Sequence, residues 1–133
     1  MTVTYREVRQ ADHANVKRLL MAIGWGTRVA DDERLARMLQ GADRCIVACD
    51  LERIVGFGRA LFDGASNGYI STVAVAPDLQ GRGIGRELVK RLMECEKPRQ
   101  ITWVLRSRPE SRGFWAKMGF TPSELAMEIV RNE

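Results

Sequence analysis

The chain has 133 residues, of which 45% are hydrophobic and 29% charged, with a net charge of +4. That suits one globular domain, residues 1–133, rather than a disordered chain, and no apolar run approaches the ~20 residues that cross a bilayer. The opening MTVTYREVRQAD is charged and alternating, unlike a signal peptide, so a cytoplasmic protein with no membrane partner is expected.

VTYREV (3–8) alternates as a half-buried strand does. Asp12 is placed to cap a helix carrying Val16, Leu19, Leu20 and Ile23 on one face, and Gly24, Trp25 and Gly26 break it. DDERLARMLQG (31–41) reads as a second helix, with Leu35, Met38 and Leu39 inward and Gly41 as its stop. CIVACD (45–50) and RIVGFGRALF (53–62) flank a short polar turn, as in a hairpin. DGASNG (63–68) turns the chain again, and YISTVAVA (69–76) returns as a strand that Pro77 ends. Ile84, Leu88, Val89, Leu92 and Met93 line one face of a helix running to about Glu96. ITWVLR (101–106) is a further strand, SRGFWAKMG (111–119) a helix stopped by Gly119, and ELAMEIVR (124–131) a last strand. The order β-α-α-β-β-β-α-β-α-β predicts an α/β (α+β) domain, a mixed, mostly antiparallel central sheet flanked by helices.

Cys45, Cys49 and Cys95 are odd in number and lack zinc or redox spacing, so they read as small buried apolar residues. His13 is the only histidine, which excludes a histidine-based metal cluster, and no metal is expected. A Cys-His nucleophile would need His13 to meet a cysteine by accident of folding. Arg82, Arg86, Lys90 and Arg91 form one cationic group, and Arg99, Arg106, Arg108 and Arg112 a second. They are either a solvated surface or a pocket for a phosphorylated ligand. No basic stripe alternates with aromatics as single-strand binding requires, so no nucleic-acid partner is expected.

VAVAPDLQGRGIGRELVKRL (73–92) carries the sharpest signal. Gly81, Gly83 and Gly85 join the end of a strand to the start of a helix, where backbone N–H groups lack partners and the helix dipole is positive. Glycines let a phosphate approach that backbone, and Arg82 and Arg86 can add charge-assisted bonds. A P-loop is excluded because Arg86 and Glu87 follow Gly85 where Lys and Ser or Thr are needed. A Rossmann fingerprint is excluded because the spacing is GxGxG and no acidic residue follows at the right distance.

QGRGIG (80–85), set between VAVAPDL and an amphipathic helix, closely resembles the GNAT acetyltransferase motif Q/R-x-x-G-x-G/A. GFWAKMGF (113–120) resembles that family's second signature, FYxKxGF, and Trp25-Gly26 and VGFGRALFD (55–63) fall in the family's order. The resemblance implies a GNAT fold in which the strand before the loop and the strand after the helix splay apart, with acetyl-CoA as acyl donor in the gap. It implies that the N–H groups of Gln80, Gly81, Arg82, Gly83, Ile84, Gly85 and Arg86 hold the pyrophosphate. Backbone groups of Val73, Ala74 and Val75 would bond the pantetheine arm, and an N–H near Val73 or Val75 would stabilise the developing oxyanion. The implied reaction is direct attack of an acceptor amine on the thioester.

The sequence departs from the family at the catalytic positions. The tyrosine that often protonates the leaving sulfur is Trp115 here, whose indole cannot serve as a proton-transfer acid near neutral pH. Water, Ser111 or Ser107 are stand-ins, and Trp115 also reads as a packing residue. Where relatives often carry an acidic base, this chain has Ser71-Thr72. Arg59 falls roughly opposite Thr72 if 53–62 and 69–75 pair, and Asp63 reads as a turn-former rather than a base. Trp25, Arg59 and Tyr69 are expected in the acceptor pocket. The acceptor is read as a small amine, with an antibiotic, a peptide N-terminus and a lysine side chain also open, and one with an anionic group is favoured if Arg59 lines the pocket. A GNAT-fold acyl-CoA-binding sensor with little catalysis, an O-acyl or longer-acyl transferase, and a homodimer formed through ELAMEIVRNE all stay open.

Overall fold

The computed structural model describes residues 2–132. Five strands form one sheet in the order β1-β2-β3-β4-β5: β1 is Thr4–Glu7, β2 Arg44–Asp50, β3 Arg53–Phe62, β4 Asn67–Val75 and β5 Thr102–Leu105. The first four pair antiparallel and β4 pairs with β5 in parallel, because the chain crosses between them through a helix. The helices are α1 (His13–Ala22), α2 (Gly26–Val29), α3 (Asp32–Gly41), α4 (Ile84–Leu92) and α5 (Arg112–Lys117). No helix among the described residues is long and apolar enough to cross a membrane.

The amphipathic patterns decide which face each helix buries. Val16, Leu19 and Leu20 of α1, Leu35 and Leu39 of α3, and Ile84, Leu88, Val89 and Leu92 of α4 are all buried. Helix α4 lies against Gly56 and Gly58 of β3, where side chains are absent for lack of room. A Cβ on Gly58 would sit 2.9 Å from Leu92, and one on Gly56 would meet Ile84 at 3.0 Å and Leu88 at 3.1 Å. Intervening residues Phe57 and Arg59 point to the opposite face, where Arg59 reaches the Met38 carbonyl at the end of α3.

Four details differ from the pattern read in the sequence. Residues 26–29 form the extra turn α2 beyond the break at Gly24, whose φ is +94°. Helix α4 ends at Leu92 rather than near Glu96, leaving four residues before the Lys97-Pro98 corner. Asp12 precedes α1 without capping it through its side chain. Its carboxylate instead takes a bidentate pair from the Arg6 guanidinium, at 2.6 and 2.8 Å, and the Arg9 N–H at 2.7 Å. The fourth is the expected strand at 124–131, which does not form. Leu125, Met127 and Ile129 are over nine-tenths exposed, and Glu128 touches Arg106 beyond the end of β5 at 2.7 Å. Strand β5 spans four residues, too short an edge to hold eight more in register.

Asp12 ties β1 to α1 from a position only 7% exposed. The Arg6 guanidinium holds its carboxyl below the usual carboxylate range, so the pair's contribution to stability is complete above about pH 4 and fades as pH falls below it. Asp12→Asn should cost about 2 kcal/mol at pH 7 by chemical denaturation, and this deficit should shrink between pH 4 and 2. A deficit independent of pH would assign the effect to packing.

Candidate active site

The β4–β5 pair is closed at one end and open at the other. Asn67, Gly68, Tyr69 and Ile70 pair with Thr102, Trp103, Val104 and Leu105, and the pairing stops there. Gly68 permits the closed end, since a Cβ on it would collide with the Trp103 ring, which stacks on Phe62 at 4.9 Å. The opening begins at a β-bulge. Arg59 pairs with Thr72 and Ala60 with Ile70, so Ser71 is an extra residue that bends β4 at the point where it leaves β5. From Ser71 to Val75 that edge of β4 has no strand partner among the described residues.

The glycine turn and α4 sit at the end of this free edge. Gly81 and Gly83 have φ of +80° and +84°, and no heavy atom lies within 4 Å of the space a Cβ would fill on either. Gly83 is the residue before α4, and among the described residues no side chain caps the helix. By contrast Asp31 accepts from the Arg34 N–H and caps α3. The first N–H groups of α4 therefore point into open space with the positive end of the dipole behind them. Arg82 and Arg86 flank them, both exposed, while Ile84 is buried and anchors the turn to the core. Gly85 lies 3.5 Å from the Phe114 ring by its would-be Cβ, so α5 walls the turn on one side. Residues Val73, Ala74 and Val75 run from the cleft to this turn, where Gln80 Nε2 donates to the Val75 carbonyl at 3.3 Å. These residues fit an extended phosphorylated ligand: open donors at a helix start, a backbone edge leading from them, and flanking cations.

A cavity of about 770 Å³ continues from the cleft toward α1, α2 and α3. Eight of the candidate cofactor, acceptor and catalytic residues line it, Trp25, Arg59, Tyr69, Val73, Gln80, Ser107, Ser111 and Trp115, together with Ser71, Thr72, Arg106 and Arg108. Gly81 to Arg86, Ala74 and Val75 lie beside it and not in its wall. Trp115 is half-buried and makes edge contacts with Phe114 of α5 at 4.9 Å and with Phe120 beyond it at 5.4 Å, while lining the cavity. Ser107 Oγ already donates to the Arg108 carbonyl at 2.8 Å, whereas Ser111 opens α5 without capping it. Arg59 donates through Nε to Met38 O at 3.0 Å and through Nη1 to Ser71 Oγ at 2.8 Å, and Ser71 and Thr72 hydroxyls are 3.3 Å apart.

Two side chains are removed from consideration as catalysts. Asp63 does not line the cavity: its carboxylate accepts from the N–H groups of Ala65, Ser66 and Asn67 and from Ser66 Oγ, which hold it well below the usual range. Cys45 is pushed up to about 11 by burial, so its thiol stays protonated and un-nucleophilic. Cys49 is buried, and no group of three metal-ligating side chains occurs among the described residues. Sequence reasoning missed Arg28, Arg34 and Glu110 in the cavity wall. Their only signal was position, on a turn and helices whose inward faces the apolar pattern alone does not reveal.

The profile of the acetyltransferase (GNAT) family matches residues 11–120. A protein of Porphyra purpurea named N-acetyltransferase ycf52, itself uncharacterized, is 35% identical over 69 residues, covering 51% of this chain and 40% of that protein. A ycf52-like N-acetyltransferase of Prochlorococcus marinus, also uncharacterized, is 27% identical over 128 residues, 90% of this chain and 68% of its own length. Among solved structures, a GNAT-family protein of Xanthomonas campestris pv. campestris shares the fold with a TM-score of 0.83 at 22% identity, covering 98% of this chain and 94% of that one. The matched span holds the cleft, the glycine turn and most of the cavity wall, and this chain belongs to the GNAT acetyltransferase family.

Proposed function

We propose that the protein, as one GNAT domain over residues 1–133, is an acetyl-CoA-dependent N-acetyltransferase acting on a small amine. The observation that carries this reading is the free edge of β4, running from the cavity to an uncapped helix start. When bound, acetyl-CoA supplies an acyl thioester open to direct attack by an amine. The N–H groups from Gln80 to Arg86 hold phosphate oxygens, with Arg82 and Arg86 adding charge. The backbone of Val73, Ala74 and Val75 orients the extended arm as an added strand would. The N–H of Val73 or Val75 donates to the carbonyl oxygen on which charge develops. Trp115 packs over the cleft and excludes water without moving a proton. Ser107 and Ser111 line the same cavity, and a hydroxyl there relays a proton from the attacking ammonium to the leaving thiolate.

The tryptophan at 115 also supports a second reading, an acyl-CoA-binding domain with little catalysis. Thiol release from acetyl-CoA over a panel of primary amines separates the two. Turnover above the uncatalysed rate on any amine supports the enzyme, and binding without turnover supports the sensor. The exposed row Leu125, Met127 and Ile129 suits a strand that pairs with a second copy. Light scattering should then give about twice the mass of one chain, and Met127→Asp should return it to one.

A further inference from the structure

The charges in the cavity wall are one-sided. Arg28, Arg59, Arg106 and Arg108 line it, with two carboxylates among the described residues, Glu110 and Glu128. Glu128 is already bound to Arg106 at 2.7 Å, and both glutamates come from the β5 side and beyond. Among the described residues, the wall built by α1, α2, α3 and β3 brings Arg28 and Arg59 to the cavity and no acidic residue. Arg59 is the central one. It is half-buried, it rises from the strand that floors the cavity, and both its hydrogen-bond acceptors, Met38 O and Ser71 Oγ, are neutral. Among the described residues no carboxylate forms an ion pair with it. Those bonds fix the guanidinium plane without neutralising its charge, which leaves a positioned cation in a partly desolvated site. Arg28, stacked over Trp25 at 5.4 Å, adds a second cation at the α2 end of the same wall.

We infer that the acceptor carries an anionic group, a carboxylate or its equivalent, and that Arg59 is the residue that selects it. This rests on the acetyltransferase reading above and specifies the acceptor's chemical class. An acid of that kind gains a charge-assisted, planar partner beside Ser71, where the free edge of β4 begins. A neutral amine of the same shape would leave the Arg59 charge unmatched. The bulge at Ser71 contributes to the selection because the extra residue aims its hydroxyl at Arg59 and fixes the fork.

The test uses matched acceptors that differ only at the carboxylate, such as amino acids and their carboxamides, with thiol release from acetyl-CoA as the readout. The free acids should exceed their amides by at least tenfold in kcat/KM, mainly through KM, and the preference should weaken as salt rises. Arg59→Gln should reduce that ratio at least tenfold while calorimetric affinity for acetyl-CoA stays within twofold. Arg59→Lys, which keeps the charge but not the planar fork, should retain only part of the preference and replaces Arg59→Gln should that variant not fold, an undiminished preference then overturning the inference. Equal use of acids and amides by the wild type overturns the inference, as does a preference that survives Arg59→Gln. Acetylation of neutral amines alone would overturn it and leave the acetyltransferase reading standing. Failure to bind acetyl-CoA would overturn both.

Discussion

Replacing Gly83 by glutamate should weaken acetyl-CoA binding at least a hundredfold while the domain stays folded. Two effects combine. A side chain at φ +84° strains the backbone by about 1–2 kcal/mol and shifts the N–H groups that open α4. The added carboxylate then stands at the positive end of the helix, where the ligand's phosphates would otherwise sit. Loss of two charge-assisted bonds, about 1.5–3 kcal/mol each, already exceeds a hundredfold. Gly64→Glu is the control, because Gly64 has a φ of +77° in the β3–β4 turn and takes the same strain and charge away from the cleft. Both variants should lose a few degrees in thermal midpoint, and only Gly83→Glu should lose affinity. Equal binding by the two would detach the glycine turn from the cofactor.

The second large effect is on stability. Leu92 is fully buried at the end of α4 and fills the notch that Gly58 leaves in β3. Leu92→Ala should cost about 3 kcal/mol, lost transfer energy plus a cavity, and lower the thermal midpoint by about 10 °C. Gly58→Ala alone should also destabilise, by about 1 kcal/mol, since its methyl would lie 2.9 Å from Leu92 Cδ1. In the Leu92→Ala background the same methyl enters the vacated space, so its cost should disappear or change sign. Strict additivity of the two substitutions in denaturant titrations would mean that helix and strand are not held together at this notch.

The parts of the fold that were legible in the sequence share one cause, which is periodicity tied to burial. The β3 bounds, 53–62, came out as read, because its apolar run is closed by a polar turn on one side and DGASNG on the other. Helix α4 was legible through Ile84, Leu88, Val89 and Leu92, though its end was placed four residues late because the apolar face carries on into Met93, the capping residue where the helix stops. ELAMEIVR misled for the complementary reason. Its alternation satisfies a local test for a strand, but a strand also needs an edge, and β5 stops at Leu105.

At the site, the glycine turn before α4 was readable because glycines at fixed spacing reflect backbone requirements that leave a mark in sequence. The Arg59–Thr72 pairing was also readable, by counting back from the turn. The bulge at Ser71 was not, since an extra residue in a strand looks like any other serine until the partner's register is known. Nor were Arg28, Arg34 and Glu110, which reach the cavity through the way separate elements pack.

Calorimetric titration of the purified protein with acetyl-CoA, with CoA and ATP as controls, tests the central claim most directly. Micromolar binding of acetyl-CoA and CoA, with none for ATP, is the predicted result, because an uncapped helix start joined to a free strand edge fits a pyrophosphate that continues into an extended arm. Absence of acetyl-CoA binding by folded protein, or equal binding of ATP, would contradict it.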